Sequence, residues 1–181
     1  MDSRDCEVAS AMTSWSSYKM RGIAPRKKLS CPKRNARKLA RHCGFMENIK
    51  QFFAGDRYAE LSGIELLSVS PGLAVAQMKI QPHHLNAVGS VQGGAIFTLA
   101  DLAFAAASNA HGKVAVAINV SITYMKAVSS GTLRAEAREV SANPKLASYT
   151  VNVFDERNTL IAVFQGLVYR KEQILDSLAK G

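Results

Sequence analysis

The apolar residues divide the chain into a leader without periodicity and a longer part with regular patterns. Over residues 47–60 the apolar side chains recur near helical spacing, which predicts a helix with Gly63 just beyond its end. Short apolar runs at 64–70 and 73–80 predict two strands, and Pro71-Gly72 between them is a typical turn pair.

The longest apolar stretch covers residues 91–112 and predicts one helix that begins after the Gly93-Gly94 pair and ends at Gly112. Ala, Leu, Phe and Ile occupy nearly all of its sides, which is typical of a buried helix. The predicted helix, which begins after the glycine pair, is shorter than the roughly 20 apolar residues that a membrane span requires. Its single acid is Asp101, and burial of a lone carboxylate costs several kcal/mol, so we expect Asp101 to have a function.

Four further strands are expected after this helix, separated by turns of hairpin length at Asn143-Pro144 and residues 155–158. They cover residues 113–125, 131–140, 146–154 and 159–169. The last ten residues read as a polar tail or a short helix. Consecutive strands with short turns pair antiparallel. The element order therefore predicts an α+β fold in which a curled antiparallel sheet of about six strands wraps around one long helix.

The net charge of +9 comes almost entirely from the start of the chain. Residues 1–45 hold 11 of the 23 Lys and Arg and only 3 of the 14 Asp and Glu. We expect a basic, disordered leader over residues 1–45 and one domain over residues 46–181, with Met46 as an alternative start. The leader has two other interpretations, a nucleic-acid-binding arm and a targeting presequence.

All three cysteines lie in the same leader, at Cys6, Cys31 and Cys43. The domain therefore has no disulfide framework and no thiol nucleophile. This cysteine usage fits a reducing compartment, and we expect the protein to be cytoplasmic.

Two segments, residues 86–104 and residues 121–125, resemble the hotdog-fold thioesterases, and the similarity extends over residues 46–171. The branch that they resemble most is that of the phenylacetic-acid-degradation acyl-CoA thioesterases. The residues that carry the resemblance are Asn86, Gln92-Gly93-Gly94, Thr98-Leu-Ala-Asp101 and Ser121-Ile-Thr-Tyr124-Met125.

The resemblance implies a role for four residues in catalysis. Asp101 supplies the catalytic carboxylate, and the backbone N–H of Gly93 polarises the thioester carbonyl. Asn86 lies at the site. Where the family commonly has His-Gly-Gly, this chain has Gln92, which keeps hydrogen-bonding groups but cannot titrate.

These roles agree with elementary chemistry. A helix N-terminus offers free N–H groups and a partial positive charge, and glycine lets a substrate approach the backbone. Asp101 can act as a general base or as a nucleophile, and the sequence leaves both routes open.

The spacing of Gly93 and Asp101 predicts a shared site. Eight residues of helix separate them by roughly 12 Å, which is too far for both to contact one carbonyl group. A two-fold dimer would bring Gly93 of one subunit to Asp101 of the other. The resemblance implies the same arrangement, with a dimer of dimers as the homotetramer.

Coenzyme A carries phosphates, so basic and polar residues near the site are candidate ligands. The substrate-binding candidates are Gly94, Asn119, Ser121, Lys126 and Lys145. No phosphate-binding glycine loop and no metal-ligand spacing are present, so we expect no metal or redox cofactor, and coenzyme A enters only as part of the substrate. We expect His83 and His84 to be surface loop residues.

The sequence thus predicts hydrolysis of an aryl- or medium-chain acyl-CoA to the free acid and coenzyme A, with neither a nucleic acid nor a membrane as partner. A hotdog module that binds acyl-CoA without turnover is the first alternative, and Gln92 is the feature that suggests it. Nucleic-acid binding through the leader is a second alternative. A hotdog dehydratase is a third, although that chemistry generally needs an Asp–His pair and no His follows Asp101 before His111.

Overall fold

A computed structural model describes residues 48–175, so the predicted leader over residues 1–45 and the last six residues lie outside the described part of the chain. Three α-helices, a short 3-10 helix (Pro82–His84) and six strands make up the described part of the chain. The helices are α1 (residues 48–53), α2 (Arg57–Leu61) and α3 (Gly93–Asn109). The strands are β1 (Ile64–Ser70), β2 (Leu73–Lys79), β3 (Lys113–Tyr124), β4 (Thr132–Ala142), β5 (Leu146–Phe154) and β6 (Leu160–Ile174).

The six strands form one sheet in the order β1-β2-β4-β5-β6-β3, and every neighbouring pair is antiparallel. The sheet curls around α3, which confirms the predicted α+β hotdog architecture. The chain leaves β2, passes through α3 and returns at the far edge of the sheet as β3. Consequently β3 is an edge strand that pairs with β6 on one side only among the described strands.

Helix α3 is held against the sheet by a close approach and by a polar anchor. The ring of Phe104 lies over Gly166 of β6, where a Cβ would come within 2.5 Å of the ring. At the other anchor the buried Asn109 side chain accepts a hydrogen bond from the backbone N–H of Ala115 at 2.9 Å and donates to its carbonyl at 3.1 Å. These contacts fix the position of α3 relative to β3 and β6.

The prediction that α3 is buried on all sides fails only along one stripe, because residues 102–104 and 106–109 are buried all around the C-terminal half of the helix. Leu99, Ala103 and Phe104 face the sheet and are at most 1% exposed. Along the opposite stripe Gly94 is exposed and Asp101 is half-buried. The curled sheet therefore leaves only this stripe of α3 partly exposed.

Two element boundaries differ from prediction for local reasons. The helix expected over residues 47–60 is divided into α1 and α2, because the Asp56 side chain accepts hydrogen bonds from Tyr58 N and Ala59 N and starts a new helix. Strand β6 continues to Ile174, where a tail was expected, because it stays paired with β3 as far as Lys113. Within residues 48–175 no helix is both long enough and apolar enough to span a bilayer.

Candidate active site

The N-terminus of α3 is fixed by backbone hydrogen bonds on both sides. Val91 N donates to Val128 O at 2.8 Å, and Gln92 N donates to His84 O at 2.8 Å. The Gln92 side chain caps the helix, because its Oε1 accepts from the N–H of Gly94. The first turn of the helix therefore has a defined orientation before any substrate arrives.

The N–H of Gly93 is free in this arrangement. Among the described residues it has no hydrogen-bond acceptor, as is usual for donors in the first turn of a helix. It lies beside a pocket of about 300 Å³. The pocket is lined by Ser90, Val91, Gly93, Ile96, Tyr124, Met125, Lys126, Ala127 and Val128. A donor at the positive end of a helix, open to a pocket, is suited to a developing oxyanion.

Asp101 lies on the partly exposed stripe of the same helix. In the described part of the chain no hydrogen bond or salt bridge reaches its carboxylate. Burial raises the pKa of Asp101, and the nearby charge of Asp56 raises this pKa further. An unpaired carboxylate with a raised pKa is a better proton acceptor than an ordinary exposed Asp.

The structure confirms that Gly93 and Asp101 belong to one helix, and it does not bring them together within one subunit. At 1.5 Å per residue their backbones lie roughly 12 Å apart along the axis. Each subunit therefore presents two separate halves of the predicted site.

Asn86 is used within the loop that leads to α3. Its Oδ1 accepts from Val88 N at 3.0 Å and Ser90 N at 3.1 Å, and its Nδ2 donates to Ser90 Oγ at 3.0 Å. These bonds shape residues 86–90 as a turn. A direct contact between Asn86 and substrate stays a prediction.

The side chain of Gln92 and the backbone N–H of Gly94 are likewise hydrogen-bonded to each other. Since the Gly94 N–H donates to Gln92 Oε1, that N–H is occupied in this structure and Gly93 is the free donor of the pair. The cap gives Gln92 a structural role, and its part in catalysis stays a prediction.

The predicted contacts on β3 lie on its outer face. Val120 and Ile122 pack on the core, and alternate residues of a strand point to opposite faces. Asn119 and Ser121 are exposed and point away from α3 in their own subunit.

The two candidate lysines lie at opposite ends of the sheet. Lys126 lines the pocket beside Gly93. The carbonyl of Lys145 accepts from the N–H of Arg170, which pairs with Ala115 near the start of β3. That position is roughly 30 Å along the strand from Tyr124 at the pocket.

Tyr124 belongs to the motif Ser121-Ile-Thr-Tyr124-Met125, which by itself indicates no role for this residue. In the structure its hydroxyl donates to the Gly93 carbonyl at 2.8 Å, and it lines the pocket. No local pattern could have indicated this contact, because the two residues are 31 positions apart.

The chain is similar in sequence and fold to known thioesterases and esterases. A family model described as the thioesterase superfamily matches residues 88–162. A protein of Archaeoglobus fulgidus named putative esterase is 46% identical over 133 residues, which cover 72% of this chain and 86% of the relative. The acyl-coenzyme A thioesterase PaaI of Escherichia coli is 31% identical over 125 residues, which cover 68% of this chain and 89% of the relative.

The solved structure of the Escherichia coli PaaI protein, from the phenylacetic acid degradation operon, superposes with a TM-score of 0.68 at 29% identity. The match covers 71% of this chain and 94% of that structure. The chain therefore belongs to the thioesterase superfamily, as a hotdog-fold thioesterase of the PaaI type.

Proposed function

We propose that this thioesterase hydrolyses an aryl- or medium-chain acyl-CoA to the free acid and coenzyme A, with water as the only other reactant. The observation that carries the proposal is the free N–H of Gly93, a residue that lines a pocket. The unpaired carboxylate of Asp101 on the same helix supplies the second chemical group that thioester hydrolysis needs.

In the first route Asp101 takes a proton from water, and the resulting hydroxide attacks the carbonyl carbon. The negative charge moves to the carbonyl oxygen, which accepts a hydrogen bond from the N–H of Gly93. The C–S bond then breaks, and the thiolate of coenzyme A receives the proton from Asp101. In the second route the carboxylate itself attacks, releases coenzyme A and leaves an anhydride that water cleaves.

We propose that the working site forms across a two-fold dimer, with Gly93 of one subunit facing Asp101 of the partner subunit. The outer edge of β3 supports this, because it carries unpaired backbone groups and exposed apolar side chains. Val116 is 37% exposed and Ile118 is 54% exposed. Such an edge favours pairing with a second chain. A dimer of dimers stays a prediction.

Apolar and basic residues around the pocket support an acyl-CoA substrate. Val91 and Ile96 offer apolar walls to the acyl group, and we propose that Lys126 binds a coenzyme A phosphate. Contacts from Asn119, Ser121 and Lys145 stay predictions.

The proposal is tested with phenylacetyl-CoA, octanoyl-CoA and acetyl-CoA, with a thiol reagent that detects free coenzyme A. We expect turnover of the first two, and an Asp101→Asn variant should lose at least about 100-fold in kcat while its fold is retained by circular dichroism. Glu65→Gln is the matched control, because this exposed acid lies on β1 at the opposite edge of the sheet from β3.

Unchanged rates in Asp101→Asn would contradict the assigned role of the carboxylate. A wild-type protein that hydrolyses none of the esters would contradict the proposed function. If such a protein still melted at higher temperature with these ligands, it would be a module that binds acyl-CoA without turnover.

A further inference from the structure

The phenol of Tyr124 lies directly over the first residue of α3. Its hydroxyl donates to the carbonyl of Gly93 at 2.8 Å. A Cβ on Gly93 would stand 2.9 Å from that oxygen and 3.0 Å from the ring carbon that bears it. A side chain at this position would therefore displace the end of the tyrosine, and the contact brings the last residue of β3 against the helix N-terminus.

The peptide that joins Gly93 and Gly94 is held at both of its polar groups. Tyr124 donates to its carbonyl, and Gln92 Oε1 accepts from its N–H. Since a peptide unit is planar, these two bonds fix its rotation. Without these bonds, glycine would allow wide rotation of the backbone about the Cα of Gly93. The N–H of Gly93 is attached to that same Cα, so holding the peptide also restrains the N–H.

The hydrogen bond from Tyr124 is not needed to give the Gly93 carbonyl a donor. As the first residue of α3, Gly93 presents a carbonyl that normally accepts the N–H four residues later. The hydroxyl is a second donor to that oxygen, so its effect is on orientation. A tyrosine hydroxyl is protonated at neutral pH and can therefore donate this bond.

We infer that Tyr124 is a positioning residue, which together with Gln92 holds the Gly93–Gly94 peptide so that the free N–H of Gly93 points at the thioester carbonyl. This inference rests on the proposed function, since it assigns Gly93 as the oxyanion donor.

The first test replaces Tyr124 with Phe, which removes the hydroxyl and keeps the ring over Gly93. We expect kcat for phenylacetyl-CoA and octanoyl-CoA to fall about 10-fold, part of the loss that follows removal of an oxyanion donor. KM should change less than about two-fold, because the pocket wall is retained. Tyr169→Phe is the matched control, since this tyrosine is 41% exposed on β6 near the start of β3. A kcat for Tyr124→Phe within two-fold of wild type would overturn the inference.

A double variant tests whether Gln92 and Tyr124 act on the same peptide. If they do, Gln92→Ala combined with Tyr124→Phe should lose little more kcat than the more impaired single variant, because the peptide is already released. Losses that multiply would show that the two side chains act independently and would contradict the shared clamp.

Amide hydrogen exchange over residues 91–98 makes the clamp measurable without turnover. We expect faster exchange in Tyr124→Phe than in wild type or Tyr169→Phe, because release of the peptide exposes the N–H of Gly94. Unchanged exchange would overturn the clamp. Faster exchange with unchanged kcat would overturn its role in catalysis. If wild type turns over none of the esters, the proposed function fails, and the exchange rates still decide whether Tyr124 holds this peptide.

Discussion

At the scale of single residues, Asp101 is held in an environment that opposes its charge. Half-buried on α3, its carboxylate has no hydrogen-bond donor within residues 48–175, and the charge of Asp56 lies nearby. An apolar or amide side chain would be easier to accommodate there. Such a cost to stability is typical of residues kept for activity, which agrees with a carboxylate that accepts a proton or attacks a carbonyl.

The raised pKa of Asp101 predicts the acid limb of the rate profile. Both proposed routes need the ionised carboxylate, so kcat/KM should fall as pH decreases through the pKa of Asp101. Since burial and Asp56 raise this pKa above 3.8, the midpoint should lie above that of an ordinary Asp. The measurement is kcat/KM for octanoyl-CoA between pH 4 and 8.

Asp56→Asn is the variant that most directly tests the effect of a neighbouring charge on this pH profile. Asn retains the oxygen that caps α2 but removes the charge, so it leaves burial as the remaining cause of the shift in Asp101. The acid limb should therefore move to lower pH with little change in the plateau. An unmoved limb would show that the charge of Asp56 does not act on the group that sets it.

Residues of the site differ in how well the sequence could predict them. Gly93 and Asp101 could be inferred, because free N–H groups belong to every helix start and a single acid within an apolar helix is conspicuous. Tyr124 depends on where β3 ends relative to α3, which no local pattern shows. His84 was expected at the surface but is only 4% exposed, because its Nδ1 accepts from Gln81 N and turns the ring inward.

At the scale of elements, the position of α3 depends on the absence of a side chain at Gly166 of β6. The ring of Phe104 occupies the space that a side chain on Gly166 would need, with three ring atoms within 2.8 Å of an added Cβ. A methyl group there must displace the ring or the backbone of a central core contact. The helix cannot shift freely, because Asn109 is bonded to Ala115 at its other end.

We therefore expect Gly166→Ala to destabilise the fold by about 1–3 kcal/mol, as overpacking of a core usually does. Urea unfolding followed by circular dichroism measures the change. Gly55→Ala is the control, because its added Cβ would meet only Phe52 O at 3.4 Å. A free energy of unfolding for Gly166→Ala equal to that of the control would show that the ring moves aside at no cost.

The elements themselves were largely predictable because their periodicities are strong. Strand β5 has the predicted bounds, and β1 to β4 differ by at most two residues at either end. The division of the first helix depends on a single cap at Asp56, and the extra length of β6 depends on its partner β3. Pairing between distant strands cannot be inferred from the alternation within one of them.

At the scale of the whole molecule, one chain by itself does not complete the proposed site. The proposed oxyanion donor and the proposed catalytic carboxylate lie roughly 12 Å apart along one helix, which is too far for both to reach one carbonyl. The edge strand β3 and the partly exposed stripe of α3 lie on the sides of the subunit that a second copy would have to cover. The proposed dimer thus explains both the separation of the catalytic groups and the exposed apolar residues of β3.

A mixing experiment tests this shared site through two individually impaired variants. Asp101→Asn removes the carboxylate, and Gly93→Pro removes the N–H at the first position of a helix, where proline is tolerated. The extended conformation of Gln92, with φ −64° and ψ 134°, suits a residue before proline. Each variant alone should lose about 100-fold or more in kcat.

Subunits of the two variants, co-refolded in equal amounts, should recover about a quarter of wild-type activity, because half of the dimers are mixed and one of their two sites is intact. Each variant co-refolded with itself is the control, and analytical ultracentrifugation measures the fraction of dimers. If Gly93 and Asp101 acted within the same subunit, no mixed dimer would contain an intact site and activity would stay at the level of the separate variants. Recovery therefore requires that the N–H and the carboxylate of one site come from different chains.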